Sequence, residues 1–139
     1  MTAEFGESII RNADLSMNTN ISGSITTEVL LEGSFDLKEL MLQKDMNLIP
    51  ENVRDSFELT DDLNGKLECR TKFNYESGWE YPLISNSKLI FSECLLERKE
   101  LQLPLRIREA EFNIYEDNQN QFTGTGYWGN SEFRTTGSF

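Results

Sequence analysis

The sequence contains no histidine and only two cysteines among its 139 residues. Without histidine, the chain has no Ser-His or Cys-His nucleophile pair and no histidine-ligated zinc. Cys69 and Cys94 form no CxxC pair, and their separation permits one disulfide without requiring it. Because the commonest catalytic constellations are missing, we expect a protein that is not an enzyme, with no catalytic residues, no cofactor and no metal.

Positive charge is also scarce, with 13 Lys and Arg against 24 Asp and Glu and a formal net charge of -11. Such a chain repels phosphates, so we expect no nucleic-acid partner. No apolar run approaches the length of a membrane span, and residues 1 to 20 have neither the basic nor the apolar part of a secretory signal. We therefore expect no transmembrane segment in this chain.

The chain nevertheless has the composition of a folded protein. It is 37% hydrophobic and contains nine Phe, two Trp and four Tyr, which is not the composition of a disordered acidic tail. Its length suits one domain and leaves no room for a second. We therefore expect residues 1 to 139 to be a single β-rich domain. Because the sequence stops inside a predicted strand, we expect this domain to be an excised segment of a longer protein.

Strict alternation of apolar and polar residues is the strongest pattern. In residues 63 to 75 the odd positions are mostly apolar and the even positions are polar, and residues 25 to 37 repeat the pattern with Leu30 as the exception. Side chains alternate between the two faces of a strand, so both stretches predict long strands with one apolar face. Shorter strands are predicted over residues 15 to 21, 88 to 91, 100 to 107, 110 to 114, 121 to 128 and 132 to 139.

Local signals refine these strands. Pro104 has no N–H to donate, which predicts an edge position or a local break. The apolar phase shifts near residues 108 to 109, which predicts a bulge or bend. Residues 128 to 131 carry Gly129 first in a two-residue turn, the type II′ preference. Asn64-Gly65 is also a hairpin signal, but the unbroken alternation through it favours a continuous strand.

Only residues 37 to 57 depart from the β pattern. Residues 38 to 42 either continue the preceding strand or open a short helix, and Pro50 begins a stretch typical of a helical turn. We therefore predict a mainly β, antiparallel fold: a long twisted or curved sheet, either an open groove or sandwich-like, with at most one short helix near residues 38 to 56.

Clustered carboxylates are the remaining candidates for chemistry. Asp61-Asp62 lacks the spacing of a calcium loop, which predicts a solvated loop. Glu109 and Glu111 belong to a group that could form a general acid/base pair, but alternation places both on the polar face of their strand. We therefore expect both carboxylates to be exposed to solvent.

The second half of the chain has a characteristic order of strands and turns. An apolar strand at residues 89 to 91 precedes the Leu-Pro-Leu stretch at 101 to 107, a strand at 112 to 115, a polar turn, and a closing strand at 129 to 139 with small residues and Gly near its end. This order resembles the repeat unit of AsmA/TamB-like bacterial envelope proteins. Residues 21 to 25, 32 to 37 and 62 to 67 are similar to further strands of that family.

The resemblance covers residues 21 to 139 and implies an elongated, curved antiparallel sheet with an apolar concave face. It also implies a location on the periplasmic side of a bacterial inner membrane and a role in lipid transport and outer-membrane biogenesis. The expected partners are lipid acyl chains and adjacent β-modules of the same protein. The residues expected on the apolar, lipid-binding face are Ile25, Val29, Leu31, Phe35, Leu67, Phe73, Leu89, Phe91, Leu103 and Leu105.

Two other functions fit the same residues. The first is a compact acidic inhibitor or immunity protein that blocks a basic partner, which predicts a closed core and a carboxylate patch. The second is a small β-barrel carrier of an apolar ligand, which predicts an enclosed cavity. If the family resemblance does not hold, we expect a cytoplasmic location.

Overall fold

The computed structural model describes residues 3–42, 62–80, 83–97, 102–115 and 119–139. These form eight strands and one helix. In chain order they are β1 (Ala3–Phe5), β2 (Ser8–Thr19), β3 (Ile25–Asp36), α1 (Leu37–Leu42), β4 (Asp62–Glu76), β5 (Leu83–Glu97), β6 (Leu105–Ile114), β7 (Gln121–Trp128) and β8 (Ser131–Ser138).

All eight strands belong to one antiparallel sheet whose spatial order is the chain order, β1 to β8. Each strand pairs with the next along the chain. Because β1 and β8 lie at opposite edges, the described strands form an open sheet. The predicted fold class is confirmed, whereas the closed barrel required by the carrier hypothesis is not formed by these strands.

The stretches with the cleanest alternation are the strands that the sequence located best. β3, β4 and β7 lie within about a residue of their predicted bounds. The chain does not turn at Asn64-Gly65 but continues as one strand. The register of β4 against β5 shifts at this point. Gly65 has φ +131°, and a Cβ on it would come 2.6 Å from the Sγ atom of Cys94, so a glycine is required at this close approach.

The β7–β8 hairpin forms as predicted. Trp128 pairs with Ser131 across a two-residue turn, and Gly129 has φ +61°. A type II′ turn needs a positive φ at its first central residue only, which suits Gly129 followed by Asn130. Gly6 occupies the same place between β1 and β2, with φ +59°.

Three predicted strands had wrong boundaries. β5 runs over Leu83–Glu97, well beyond the predicted residues 88 to 91. Residues 102 to 104 are not part of a strand, and β6 begins at Leu105, directly after Pro104. This is the local break that a residue without an N–H causes. The first predicted strand was also misplaced, because β2 ends at Thr19 and Ile21 lies fully exposed in the following turn.

Asn20 explains that turn. Its side-chain oxygen accepts hydrogen bonds from the Ser24 N–H at 3.0 Å and from the Ser22 hydroxyl at 2.6 Å. Its main-chain carbonyl accepts from the N–H of Gly23, which has φ +83°. An asparagine that bonds its own downstream backbone reverses the chain here, before the apolar alternation reaches Ile21.

The one described helix, α1, confirms the predicted short helix. The Asp36 carboxylate accepts a hydrogen bond from the Glu39 N–H at 3.0 Å, which is an N-cap. Leu37, at 2% exposure, is buried. No helix in the described ranges is long and apolar enough to span a membrane. The predicted turn at residues 50 to 55 lies outside the described residues.

A buried serine joins this helix to the first hairpin. The Ser8 hydroxyl donates to Glu39 Oε2 at 2.7 Å and accepts from the Asp36 N–H at 3.0 Å. The Glu7 N–H donates to Glu39 Oε1 at 2.9 Å. The hydrogen bond from Ser8, with that from the Glu7 N–H, lowers the pKa of Glu39. Ser8 is thus fully satisfied although it is fully buried.

Candidate apolar binding face

The strand register places most apolar side chains on one side of the sheet. Val29 of β3 lies opposite Leu15 of β2 and Phe73 of β4. Residues directly opposite on neighbouring strands project to the same face, and following the register through every strand gives one surface. This surface, called the apolar face below, includes Ile10, Ala13, Leu15, Met17, Ile25, Val29, Leu31, Phe35, Leu67, Cys69, Phe73, Leu89, Phe91, Cys94, Leu96, Leu105, Ile107, Ala110, Phe112, Ile114, Phe122, Trp128 and Phe133.

Nine of the ten residues predicted for this face lie on it. The exception is Leu103, which precedes β6 and is 52% exposed. Leu103 packs against the β7–β8 turn, since a Cβ on Gly129 would come 2.8 Å from its Cδ1 atom, and the Gly129 N–H donates to the Pro104 carbonyl at 3.1 Å. Its side chain therefore lies against a hairpin turn at the rim of the sheet.

Bulges keep the face continuous along strands whose sequences change phase. The register shifts at Arg11 in β2, at Asn86 and Glu93 in β5, and at Arg108 in β6. Asn86 and Glu93 adopt left-handed φ values of 47° and 52°. All four side chains are polar and exposed. Because one extra residue flips the following side chains to the other face, each bulge restores apolar residues to the apolar face.

Only the bulge at Arg108 was predicted. Apolar residues occupy odd positions before Arg108 and even positions after it, so the change of phase was visible in the sequence. The bulges at Arg11, Asn86 and Glu93 were missed because all three lie outside the strands predicted over residues 15 to 21 and 88 to 91. At Asn86 the flanking serines also give no hydropathy contrast. A signal was available at Glu93. The residues of the apolar face occupy odd positions just before this bulge, ending at Phe91, and even positions from Cys94, and this change of phase across a polar residue is typical of a bulge.

Aromatic rings form the densest part of the face. The centroids of Phe91 and Phe112 are 5.7 Å apart in an edge-to-face arrangement, and Phe112 stacks on Phe122 at 5.9 Å. The ring of Phe139 lies 6.4 Å from both Phe112 and Phe122 and is 59% exposed. Gly137 makes room for this cluster, because a Cβ there would come 2.5 Å from the Phe122 ring.

The apolar face is only partly shielded from solvent by the described residues. Among the side chains whose burial is described, the buried apolar ones are Phe35, Leu37, Cys94 and Ala110. Leu15 is 65% exposed and Met17 is 61% exposed. One sheet and one six-residue helix supply no second layer across most of the face within the described ranges. A surface of this kind is typical of a ligand or partner site.

The opposite face is polar and carries charges of both signs. Arg70 bonds Glu32 at 2.7 Å, and Lys72 bonds Glu28 at 2.7 Å, in each case from β4 to β3. Exposed pairs of this kind contribute about 0.2–1 kcal/mol each. Because the carboxylates alternate with cations, this face gives no support to the carboxylate patch that the inhibitor hypothesis requires.

Glu109 and Glu111 lie on this polar face, as predicted. Glu111 accepts from Asn113 at 2.8 Å and pairs with Lys88 at 3.1 Å. The Asn113 hydrogen bond first, and then Lys88, lower the pKa of Glu111. A carboxylate held ionised in this way is a poor general acid. Asp61 lies outside the described residues, and no group of three or more metal-ligating side chains occurs within them.

Both cysteines are free thiols on the apolar face. Cys69 lies opposite Gly33 and Leu89, and Cys94 lies opposite Ile107. Burial raises the pKa of each thiol. At neutral pH both therefore stay protonated and serve as small apolar residues.

No protein-family model, curated protein or solved structure matches this chain. The resemblance to AsmA/TamB-like repeats therefore stays a prediction.

Proposed function

We propose that this protein is a non-enzymatic β-module whose apolar face contacts lipid acyl chains or neighbouring modules, as in an AsmA-like envelope protein. The observation that carries the proposal is the apolar face itself. It runs across the open sheet, and few of its side chains are buried within the described residues. Exposing such a surface to water is costly unless a ligand or partner covers it.

Acyl chains fit this face in their chemistry. The surface presents aliphatic and aromatic side chains, and the charged groups of the strands lie on the other side of the sheet. Each methylene group removed from water contributes about 0.8 kcal/mol. A chain that loses contact with water along about eight methylenes gains roughly 6 kcal/mol, which corresponds to a Kd in the tens of micromolar.

The cellular setting of the proposal comes from the sequence resemblance. The resemblance implies a module on the periplasmic side of a bacterial inner membrane, with a role in lipid transport and outer-membrane biogenesis. Continuation of the sheet into adjacent β-modules of the same protein would lengthen the apolar face. An extended face of this kind would let acyl chains move along it without passing through water.

The test compares two leucines with similar exposure on opposite faces. Leu15 is 65% exposed on the apolar face, and Leu83 is 59% exposed on the polar face, opposite Asn74. A charged side chain at position 15 loses its hydrating water when an acyl chain binds, which is unfavourable. A charged side chain at position 83 stays hydrated. We expect Leu15→Glu to weaken binding of a fluorescent palmitate analogue about tenfold, and Leu83→Glu to change it less than about twofold.

Lipid extraction of the purified wild-type protein, followed by mass spectrometry, supplies an independent measurement. We expect co-purified lipids in the wild type and a lower yield from Leu15→Glu. A wild-type protein that carries no lipid and binds palmitate no better than Leu15→Glu would refute the proposal.

A further inference from the structure

β8 is the last strand of the sheet and forms one of its two edges. All eight residues of β8 pair with β7 in one uninterrupted register, and the side chains are exposed apart from the half-buried Phe133. No described strand pairs with the outer side of β8. At the other edge β1 contains only three residues and pairs with residues 8 to 10 of β2, and the remainder of β2 at that edge begins with a bulge at Arg11.

The hairpin geometry shows which backbone groups of β8 are unpaired by β7. A two-residue turn makes Trp128 and Ser131 a hydrogen-bonded pair, and such pairs alternate along an antiparallel ladder. The N–H and C=O groups of the even-numbered residues therefore point away from β7. These residues are Glu132, Arg134, Thr136 and Ser138.

This edge lacks several of the usual features that prevent strand pairing. β8 contains no proline, no lysine and no bulge. Its two charged residues, Glu132 and Arg134, have opposite signs, so the strand is locally neutral although the chain carries a net charge of -11. Repulsion between more distant charges is largely screened beyond about 8 Å at physiological salt.

We propose that β8 pairs with β8 of a second copy of this chain, antiparallel and about a two-fold axis. Antiparallel self-pairing is isologous, so each copy offers the same surface. Only registers that place even-numbered residues opposite each other use the outward backbone groups. The longest of these places Glu132 opposite Ser138 of the second copy and Arg134 opposite Thr136, with Thr135 opposite itself.

This register combines the longest overlap with the absence of like charges directly opposite each other. It forms four hydrogen-bonded pairs and thus about eight intermolecular hydrogen bonds. On the apolar side it sets Phe133, whose ring lies over Gly126 of β7, opposite Gly137 of the second copy. A shift by two residues in one direction places Arg134 opposite itself, and like charges directly opposite are unfavourable. A shift in the other direction shortens the overlap to residues 134 to 138.

The first test is disulfide cross-linking of the register. Thr135 lies on the axis as a non-hydrogen-bonded pair, where Cα atoms are about 4.5 Å apart and a disulfide fits. The copies of residue 136 are offset diagonally, too far for the bond. Under mild oxidation we expect Thr135→Cys to form a covalent dimer at least about tenfold faster than Thr136→Cys, which is the matched control on the same strand.

The second test removes one outward N–H without touching β7. Thr136→Pro keeps the β7–β8 ladder, because the N–H of residue 136 points outward. Sedimentation velocity should show a concentration-dependent dimer for the wild type and a monomer for Thr136→Pro, with the same circular dichroism. A wild type that stays monomeric at the highest soluble concentration, a dimer that survives Thr136→Pro, or equal cross-linking at both cysteine positions overturns the proposal.

Self-pairing does not rest on lipid binding. The Thr136→Pro monomer keeps the whole apolar face, so its affinity for the palmitate analogue should equal that of the wild type. If palmitate binding fails while the dimer persists, only the proposed function is lost. If the dimer fails while palmitate binding persists, only the edge pairing is lost.

Discussion

Glycine at position 6 is required for two separable reasons. Gly6 adopts φ +59°, and a Cβ on it would come 1.8 Å from Glu39 Oε1, the oxygen that accepts from the Glu7 N–H. Gly23 has φ +83°, but a Cβ there would meet nothing within 4 Å. An alanine at position 23 therefore tests the cost of the backbone conformation alone. An alanine at position 6 tests the same cost together with the displacement of the Glu39 carboxylate.

We expect Gly23→Ala to lower the free energy of unfolding by about 1–2 kcal/mol, the penalty for a side chain in the left-handed region. Gly6→Ala should lower it clearly more, because Glu39 must leave Ser8 and Glu7. Urea denaturation of both variants measures the difference. Equal losses for the two variants would show that the contact between Glu39 and the first hairpin contributes nothing to stability.

Bulges, rather than residue alternation alone, decide which face each strand presents. In β6 the bulge at Arg108 allows both Ile107 and Ala110 to reach the apolar face. The Arg108 side chain itself is exposed, where it donates to the Tyr127 hydroxyl at 2.7 Å and lies 5.4 Å from the centre of that ring. The backbone position of Arg108 thus matters more than its side chain.

This distinction gives a prediction for β6. Arg108→Ala should cost about 1 kcal/mol, because it removes one exposed hydrogen bond and a cation–π contact. Deletion of Arg108 should cost more than about 3 kcal/mol, because Leu105 and Ile107 would turn to the polar face or the ladder would break. Urea midpoints compare the two. A deletion as mild as the alanine variant would contradict the role given to the bulge.

The protein as a single unit has a broad apolar face and few buried apolar side chains within the described residues. Its stability should therefore depend on what covers that face. A ligand that binds only the folded state stabilises it by RT ln(1 + [L]/Kd), about 2.7 kcal/mol at one hundred times Kd. For a chain of this length that free energy corresponds to a rise in Tm of roughly 9 °C.

We accordingly expect palmitate at saturating concentration to raise the Tm of the wild type by roughly 9 °C. The same concentration should raise the Tm of Leu15→Glu distinctly less, because its weaker binding leaves it unsaturated. Differential scanning calorimetry of both proteins, with and without palmitate, measures the shift. An unchanged or lowered wild-type Tm would mean that acyl chains do not bind the folded state.

Some of the candidate face followed from the sequence residue by residue. Val29, Phe35, Leu67 and Phe73 lie in uninterrupted alternation, so their shared face required only the extended backbone. Leu103 was wrongly placed on the face because the apolar alternation continues through Pro104, whereas strand pairing begins only at Leu105. Leu15 and Met17 were located in a strand, but their membership of the face depended on pairing with β3.

The amino-acid pattern by itself determined that this chain forms long strands with one apolar and one polar side, since side-chain direction in a strand is a local property of the backbone. It also determined the Gly129 turn and the bulge near Arg108, whose signals lie within a few neighbouring residues. Tertiary structure alone decided the order of the strands, the bulges of β5 and the open edges. These depend on hydrogen bonds between segments distant in sequence, and local preferences carry no record of which segments will meet.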